Sequence, residues 1–534
     1  MKSGFVNELI LFEDDHLLVV NKPSGINTHK PDRFAPDGIH EWLTKREARW
    51  HNLSILQRLD KDTSGVMVFG KTTRANQSLA KQFESHTVEK TYLLLSSVQP
   101  TRMKFWAKSP NTVTEFEFVE QHGEYFLVQA HPRTGKTHQI RRHAADNGFP
   151  ILGDVQYGGD PAPRLMLHAH KLSFEHPATG TRVTFAASVP RAFDEVDPLV
   201  AATEFRESLF DEQTNAFRLV SGVADGFPDA IIDSYDGTLL VQWQTESAAE
   251  QGSELIERLR KECAPRAIYG QLATKQKRAK PTLLPEGRPA KAGSHPKEKA
   301  EGPEQGVALQ DRIRILENGL TFLVNFGEGL ATGVFLDQRE NRRRLLAMPL
   351  TGKTVLNTFS YTCGFSVAAA KAGAVTTSVD LSKAYLEWGK DNFRANGLDP
   401  AAHEFIFGDA FSWLKRFAKR GRSWDVVIVD PPTFSTTKQG RAFQAARDYE
   451  ELAALAMPLV ASGGWLLCST NQRTLEAEQF EKCIQQAARR SGRAIESLEF
   501  ETLPFDFRLA PKERPYLKTF WAKLAAHPSS MRAE

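Results

Sequence analysis

TVLNTFSYTCGFSVAAAKAGAVTTSVD, residues 354–380, is the stretch that decides the fold of this chain. An apolar strand pattern at residues 354–356 runs into a polar turn, a helical stretch follows, and a second strand pattern from residue 374 ends on Asp380. The same alternation continues through strand patterns at residues 426–429 and 465–467. It predicts a parallel, doubly wound, Rossmann-like α/β sheet whose ligand binds at the carboxyl ends of the strands.

Polar groups follow these predicted strands where a nucleotide-like ligand needs them. A ligand with a ribose and an adenine calls for a tight turn after the first strand, an acid after the second and a polar group after the third. The chain supplies the turn NTFSYTCGFS at residues 357–366, then Asp380, then Asp409. The turn and Asp380 are separated by close to the ~20 residues expected in nucleotide-binding units. The turn contains no GxGxxG, which argues against a dinucleotide-dependent oxidoreductase.

The fourth predicted strand ends in DPPTF, residues 430–434. A rigid Pro-Pro pair after an acid fixes backbone carbonyls next to a reacting group, and an aromatic ring can stack on a flipped base. We therefore expect Asp430 to act in catalysis, and Pro431, Pro432 and Phe434 to contact the substrate. Taken alone, Asp-Pro-Pro is equally typical of an ordinary turn that ends a strand.

The rest of the chain predicts further domains. Short β-rich runs before residue 190, including a hairpin at residues 114–128, indicate an α+β domain. A second hairpin pattern at residues 217–243 and a helical stretch at residues 253–263 indicate a small intermediate α+β domain. Residues 275–304 lose almost all large apolar side chains and gain Lys, Pro, Gly and Glu, which predicts disorder. The predicted multidomain division is 1–195, 196–274, a disordered basic linker at 275–306, and 307–534.

Composition limits the function classes without choosing one. With 534 residues the chain is long enough for several domains, and its net charge of +3 is so small that any nucleic-acid surface must be local. Its four cysteines form no CxxC pair, which argues against a structural zinc site or a disulfide framework, and we predict no metal. No stretch approaches the ~20 apolar residues of a membrane span, so we expect a soluble cytoplasmic protein.

A second polar motif lies in the first domain, at RLDKDTSG, residues 58–65, just before the apolar run VMVF. This placement puts the Asp60 carboxylate in a loop at the mouth of a strand, as is common for active-site acids. A surface turn would explain the same residues.

Residues 10 to about 180 resemble the ribosomal large-subunit type of pseudouridine synthases. The similarity runs through LVVNKPSG (18–25), RLDKDTSG (58–65), EKTY (89–92) and GKTHQIR (135–141), then GFPILGD (148–154) and LHA (167–169). It implies that Asp60 starts cleavage of the glycosidic bond of a flipped uridine and that Tyr92 packs on the base. It also implies that Arg141 pairs with the catalytic carboxylate, that Arg58 helps to displace the base, and that no cofactor is needed.

Two positions depart from that family. Gln57 stands where the family usually has His, and Lys136 stands where it usually has Arg. Neither replaces the essential Asp, Tyr or distal Arg, and both bear on how the RNA fits.

Residues 200 to 530 resemble large-subunit ribosomal RNA methyltransferases that carry a small intermediate domain before the catalytic one. The matching stretches include DGFPD (225–229), TGVFLDQR (332–339), NTFSYT (357–362), VDLS (379–382) and DPPTFS (430–435). The resemblance implies S-adenosylmethionine as cofactor and RNA, in particular large-subunit ribosomal RNA, as partner. The implied cofactor-site residues are Gln338, Arg339, Phe359, Tyr361, Gly364, Asp380, Asp409 and Asp430.

The resemblance also bears on the methylated atom. Relatives that methylate carbon 5 of cytosine need a cysteine nucleophile, because that carbon must be activated by addition to the ring. Thr470 stands at that place in this chain and Cys468 lies two residues earlier. A nitrogen target such as guanine is therefore favoured, and Cys468 as nucleophile stays open.

Three hypotheses remain. The first is an enzyme with two activities on ribosomal RNA, uridine isomerisation and base methylation. The second is a ribosomal RNA methyltransferase whose synthase-like half only binds RNA; in either case, delivery of RNA to the methyltransferase is expected to depend on residues 1–195. The third, a small-molecule methyltransferase, leaves the motifs of the first domain unexplained.

Overall fold

The short β-rich runs before residue 190 form one β-sheet. The computed structural model describes residues 9–274, 278–284, 312–327, 331–436 and 442–526. Ten strands form one mixed sheet, and its central strand SGVMVFG is buried along its whole length. The predicted hairpin is present, with His122 paired to Tyr125 across its turn. The strands are β1 Ile10–Glu13, β2 Leu17–Lys22, β3 Ser54–Ile55, β4 Ser64–Gly70, β5 Glu89–Ser96, β6 Lys104–Ser109, β7 Thr112–His122, β8 Tyr125–Pro132, β9 Leu167–Glu175 and β10 Arg182–Ala186.

Helices cover this sheet and lead out of it. In the second helix Thr72 caps the first turn, because its hydroxyl accepts a hydrogen bond from the Ala75 N–H at 3.2 Å. The helices are α1 Ile39–Thr44, α2 Thr73–Glu84, α3 Gln139–Asp146, α4 Arg191–Asp194 and α5 Pro198–Glu207.

A five-stranded sheet forms the intermediate part, and two predictions fail there. The predicted hairpin omitted the central strand β12, which pairs with both of its neighbours and turns into the next strand at Asp236-Gly237. Residues 278–284, predicted to be disordered, carry the short strand β15, which pairs with the exposed edge of β14. The remainder of the predicted linker lies outside the described residues. The elements are β11 Ala216–Ser221, β12 Ala230–Tyr235, β13 Thr238–Trp243, α6 Glu246–Gln251, α7 Ser253–Cys263, β14 Ala267–Leu272 and β15 Thr282–Leu283.

The last part of the chain confirms the doubly wound sheet. Its strand order is β20-β19-β18-β21-β24-β26-β25, and the first five strands are parallel. The strand order reverses between β18 and β21, and open α/β sheets bind ligands at the carboxyl ends of the strands at such a point. The strands are β16 Ile313–Glu317, β17 Leu320–Val324, β18 Thr354–Thr358, β19 Val375–Asp380, β20 Glu404–Phe407, β21 Trp424–Val429, β22 Phe434–Thr436, β23 Ala442–Gln444, β24 Val460–Thr470, β25 Ile495–Glu501 and β26 Lys518–Leu524. The helices are α8 Arg339–Ala347, α9 Gly364–Lys371, α10 Lys383–Ala395, α11 Ala410–Lys419, α12 Ala445–Ala456 and α13 Ala477–Ser491.

The first sheet shares its core with the intermediate sheet. One cluster of buried apolar side chains joins Val20 and Met67 of the first sheet to Val220 and Val241 of the second. In the part of the chain that the structure describes, no helix has the length and apolar character needed to cross a membrane.

Two candidate active sites

The Asp60 loop is held by the segment that follows β2. The Lys61 carbonyl accepts hydrogen bonds from the Gly25 N–H at 2.9 Å and from the buried Lys22 ammonium at 3.0 Å. Burial lowers the pKa of Lys22 to about 7. The Thr28 hydroxyl lies 3.0 Å from the Leu59 carbonyl and 3.2 Å from the Leu59 N–H. The backbone on both sides of the Asp60 carboxylate is therefore fixed to one neighbouring segment.

The predicted synthase residues come together in one large cleft. It has a volume of about 1020 Å³, and Arg58, Asp60, Tyr92 and Arg141 all line it. Asp60 Oδ2 is 3.9 Å from Nη1 of Arg141 and 3.9 Å from Nε2 of His138. These distances are too long for hydrogen bonds, so the carboxylate faces two basic groups without being tied to either.

The strong partner of Arg141 is Asp154, to which sequence reasoning gave no role. Nε and Nη2 of Arg141 donate to the two carboxylate oxygens of Asp154, both at 2.7 Å. Burial lowers the pKa of Arg141, but these hydrogen bonds and the Asp154 charge outweigh that effect and the pKa is raised. Asp154 closes the GFPILGD motif, which was the available signal. The predicted pairing of Arg141 with Asp60 is thus a contact through the remaining nitrogen, Nη1.

Tyr92 and His138 complete the wall of this cleft. Burial raises the pKa of Tyr92, and the negative charge of Asp60 raises it further, so the Tyr92 hydroxyl stays protonated. His138 has a left-handed backbone (φ 54°) at the start of α3, and its Nδ1 lies 3.1 Å from the Tyr157 hydroxyl. The motif GKTHQIR contained His138, but no sequence pattern marked its backbone conformation.

The second site is built on the turn between β18 and α9. Phe359, Tyr361 and Cys363 all have positive φ angles (56°, 49° and 62°). These left-handed residues fold the backbone into a tight turn. Asp380 holds this turn, because Oδ2 accepts the Tyr361 N–H and Oδ1 accepts the Ser382 N–H, both at 2.8 Å. Burial raises the pKa of Asp380.

A cavity of about 400 Å³ opens at this turn, at the reversal point of the strand order. The Tyr361 hydroxyl is buried without a hydrogen-bond partner among the described residues. This polar and aromatic lining suits an adenine nucleoside that carries an amino acid, and the Asp380 carboxylate borders it. The predicted residues that line the cavity are Gln338, Phe359, Tyr361, Gly364, Asp380, Asp430, Pro431 and Pro432.

Asp430 lies at the end of β21 in a polar network. Gln338 Nε2 donates to Asp430 Oδ2 at 3.1 Å and to Ser469 Oγ at 2.8 Å, while Asn341 Nδ2 donates to Gln338 Oε1 at 2.7 Å. Burial raises the pKa of Asp430 to about 7. This carboxyl group therefore changes charge near neutral pH.

Asp337 was missed as a cavity residue. It lines the same cavity, it accepts a hydrogen bond from the Tyr516 hydroxyl at 2.9 Å, and burial raises its pKa. Its signal was the TGVFLDQR motif, from which only the two following residues, Gln338 and Arg339, are predicted for the site.

Arg339 and Asp409 are not among the residues that line the cavity, and the prediction for Phe434 cannot be compared with the described residues. Arg339 is buried and its guanidinium pairs with Asp506. The Asp409 carboxylate caps α11, because it accepts the Ser412 N–H at 2.9 Å and the Ser412 hydroxyl at 2.8 Å. Phe434 begins β22, and its side chain lies outside what the structure describes.

Cys468 and Thr470 both have side chains that are completely buried. Cys468 lies in the apolar cluster beneath α12 and α13, away from the cavity lining, and burial raises the pKa of its thiol. A thiol in such surroundings is a poor nucleophile. Among the described residues, no group of three or more His, Cys, Asp or Glu side chains is arranged to hold a metal ion.

Comparison with known proteins identifies both halves. Residues 16–146 match the RNA pseudouridylate synthase family, and residues 300–505 match the S-adenosylmethionine-dependent methyltransferase family. The Bacillus subtilis protein YwbD is 37% identical over 325 residues, which cover 60% of this chain and 78% of YwbD.

Two further relatives are named as ribosomal RNA large subunit methyltransferases. The ribosomal RNA large subunit methyltransferase I of Aeromonas salmonicida is 34% identical over 301 residues, covering 56% of this chain and 72% of its own. The ribosomal RNA large subunit methyltransferase of Deinococcus radiodurans is 32% identical over 332 residues, covering 61% and 78%. Among solved structures, the methyltransferase-like protein SMU.776, complexed with SAH, has a TM-score of 0.51 at 28% identity, covering 66% of this chain and 87% of that one.

Proposed function

This chain belongs to the family of large-subunit ribosomal RNA methyltransferases, and from that premise we propose that it makes two modifications in ribosomal RNA. Its first part isomerises a uridine to pseudouridine. Its last part transfers a methyl group from S-adenosylmethionine to a base, at a nitrogen such as that of guanine.

The geometry around Asp60 supports the isomerisation more than any other observation. The reaction breaks the bond from C1′ to N1 of uridine and forms the bond from C1′ to C5, while C5 loses a proton and N1 gains one, so no cofactor is consumed. Asp60 starts the reaction. It lies in a cleft that is large enough for a flipped nucleotide, and Nη1 of Arg141 is directed at the Asp60 carboxylate. The protonated Tyr92 hydroxyl and its ring lie on the wall against which the detached base must be retained.

The cavity at Asp380 and Asp430 supports the methyl transfer. When bound there, S-adenosylmethionine supplies an electrophilic methyl group. The Asp380 carboxylate holds the turn and binds the ribose hydroxyls, and Asp430, with its pKa of about 7, accepts a hydrogen bond or proton from the target nitrogen. A nitrogen has its own lone pair and needs no thiol nucleophile, which agrees with the burial of Cys468.

The test uses ribosomal RNA from a strain that lacks the protein, purified full-length chain and S-adenosylmethionine, with nucleoside mass spectrometry as readout. We expect pseudouridine and one N-methylated nucleoside to appear together. Asp60→Asn should abolish pseudouridine and spare methylation, while Asp15→Asn, an exposed acid elsewhere in the same domain, should leave both products unchanged.

Two other results would replace parts of this proposal. Methylation without pseudouridine would make residues 1–195 an RNA-binding module. A 5-methylcytidine product that disappears in Cys468→Ala would establish carbon chemistry, since the nitrogen mechanism predicts that this variant stays active.

A further inference from the structure

The segment that holds the Asp60 loop is itself held by the methyltransferase domain. We propose that Arg508 and Phe34 are positioning residues for Asp60, so that the methyltransferase domain forms the back of the synthase site. This inference rests on the proposed pseudouridine synthase activity. It adds two residues to that site: Arg508, which belongs to the methyltransferase domain, and Phe34, which contacts that domain.

The first link is Gly25, whose N–H binds the Lys61 carbonyl next to Asp60. Gly25 has φ +87°, and a Cβ added to it would lie 2.9 Å from Nη2 of Arg508. The Arg508 guanidinium therefore packs directly behind the turn that fixes the catalytic loop. Ser24, the preceding residue, adds a hydrogen bond from its hydroxyl to the Asp62 carbonyl at 2.6 Å.

Arg508 is fixed from the other side. Its Nη1 donates to Asp225 Oδ1 at 3.0 Å, and its guanidinium lies 5.1 Å from the centre of the Phe205 ring. Asp225 is completely buried and also binds both terminal nitrogens of Arg206, at 2.9 and 2.6 Å. Because Arg206 keeps this carboxylate paired, loss of the Arg508 side chain leaves no unpaired buried charge, and the variant is expected to fold.

The second link is the loop at residues 29–38, whose ends are joined. The Asn27 carbonyl accepts the Ile39 N–H at 2.8 Å and the Thr28 carbonyl accepts the His40 N–H at 3.1 Å. At its tip, the Phe34 ring packs edge-on against Phe500 of β25, with ring centres 5.2 Å apart. The two ends of this loop thus lie next to the segment that holds the Asp60 loop, and its tip packs in the apolar core of the methyltransferase sheet.

Both links act on the same few backbone groups. The segment 22–28 binds residues 59, 61 and 62, and residues 27–29 also line the cleft that contains Asp60. Catalytic groups need support that locks them within a fraction of an ångström, and misplacement by about 1 Å can cost about a hundredfold in rate. Arg508 supplies that support from the methyltransferase domain, and Phe34 supplies it through its contact with Phe500 of that domain.

The experiment compares Arg508→Ala and Phe34→Ala with wild type in the full-length chain. We expect the kcat for pseudouridine formation to fall by about tenfold to a hundredfold, with the KM for RNA within about twofold. Methylation by the same preparations should be unchanged. Amide hydrogen exchange in residues 58–63 should become faster, because the loop loses its support.

Matched controls separate positioning from general damage. Arg514→Ala removes an arginine of the same domain whose side chain is 74% exposed. Arg33→Ala removes the ion pair to Glu481 and the guanidinium that lies 5.2 Å from the centre of the Phe34 ring, but it keeps the Phe34 ring and its contact with Phe500. Both should behave as wild type, and Phe34→Leu should recover most of the activity lost in Phe34→Ala.

Two results would overturn the inference: unchanged kcat and unchanged exchange in both variants, or a parallel loss of both activities together with a lower melting temperature. If wild type makes no pseudouridine, the proposed synthase activity fails. The exchange of residues 58–63 then still decides whether Arg508 and Phe34 hold the loop.

Discussion

At the scale of single residues, Asp154 decides where the Arg141 guanidinium points. Two of the three guanidinium nitrogens of Arg141 are bound by the Asp154 carboxylate, so only Nη1 is left for Asp60. Asp154→Asn removes the charge and one acceptor oxygen and lets the guanidinium turn. We expect the rate of pseudouridine formation to fall by at least about tenfold, with methylation unchanged, as measured by nucleoside mass spectrometry.

The matched control for Asp154 is Asp160→Asn, which removes an exposed acid from the same connection. This variant should retain wild-type activity. Equal rates for Asp154→Asn and wild type would show that the Asp154 pair is not required for the orientation of Arg141.

Asp430 gives a pH-dependent prediction about stability. Burial raises its pKa from 3.8 to about 7, so between these values the folded protein binds a proton that the unfolded chain has released. Stability therefore falls as the pH rises through this window, by up to about 1.4 kcal/mol per pH unit. Asp430→Asn carries no such charge, and we expect it to be more stable than wild type at pH 8 and closer to wild type at pH 5.

The measurement is the thermal unfolding midpoint of both proteins at pH 5 and pH 8, without cofactor. A difference between them that is the same at both pH values would contradict a raised pKa for Asp430.

At the scale of elements, α10 passes directly beneath the cofactor turn. A Cβ added to Gly389, in the middle of α10, would lie 2.4 Å from Sγ and 2.9 Å from Cβ of Cys363. Alanine normally stabilises a helix interior relative to glycine by about 0.5–1 kcal/mol, but here it must push the turn away. We expect Gly389→Ala to weaken S-adenosylmethionine binding by at least about tenfold, measured by isothermal titration calorimetry.

The neighbouring change Lys390→Ala tests whether any substitution in α10 has this effect. Lys390 pairs with Glu387 at the surface, and its removal should leave the affinity unchanged. Wild-type affinity in Gly389→Ala would mean that the turn does not depend on this close packing.

Apolar periodicity in the sequence predicted those strands and helices whose own residues carry the pattern. The buried runs of β18, β21 and β24 and the helix Ser253–Cys263 follow from apolar periodicity alone. The strand β12 was missed although Asp236-Gly237 marks its turn, with φ angles of 50° and 77°. Nothing local predicts β15, because its pairing is determined by the open edge of β14.

The same limit applies to the sites. Gln338 and Arg339 are neighbours in one motif, yet successive residues at a helix start point about 100° apart. Gln338 therefore faces Asp430 while Arg339 faces Asp506. The motifs gave Asp60 and Arg141, whereas the pairing of Arg141 with Asp154 depends on how α3 meets the following loop.

At the scale of the whole molecule, hydrogen bonds around two buried ion pairs join the intermediate part to the methyltransferase part. Arg206 and Asp225 are completely buried, and Nη2 of Arg206 also donates to the Asp506 carbonyl at 2.8 Å. The Asp506 carboxylate in turn pairs with the buried Arg339. Separating these parts would leave both ion pairs intact but would break the hydrogen bond from Arg206 to the Asp506 carbonyl and the one from the Arg218 N–H to Asp506 Oδ2 at 2.9 Å. Each buried polar group left without its partner costs about 1–3 kcal/mol.

The first domain is joined to the last in a similar way. The rings of Trp42 and Phe505 stack with centres 5.8 Å apart, and the Lys45 ammonium contacts the Glu501 carboxylate at 2.8 Å. We therefore expect the described parts of the chain to unfold together. S-adenosylmethionine at about 100 times its Kd should stabilise the whole molecule by about 2.7 kcal/mol.

Hydrogen exchange measures this coupling directly. The most protected amides of β4 and β21 exchange through global unfolding, so the cofactor should slow both strands by a similar factor although only β21 borders its cavity. In Asp380→Ala, which removes the proposed ribose acceptor, neither strand should respond. Slower exchange in β21 alone would mean that the synthase sheet opens independently, and the contacts of Trp42 and Lys45 would then be too weak to couple the two ends of the chain.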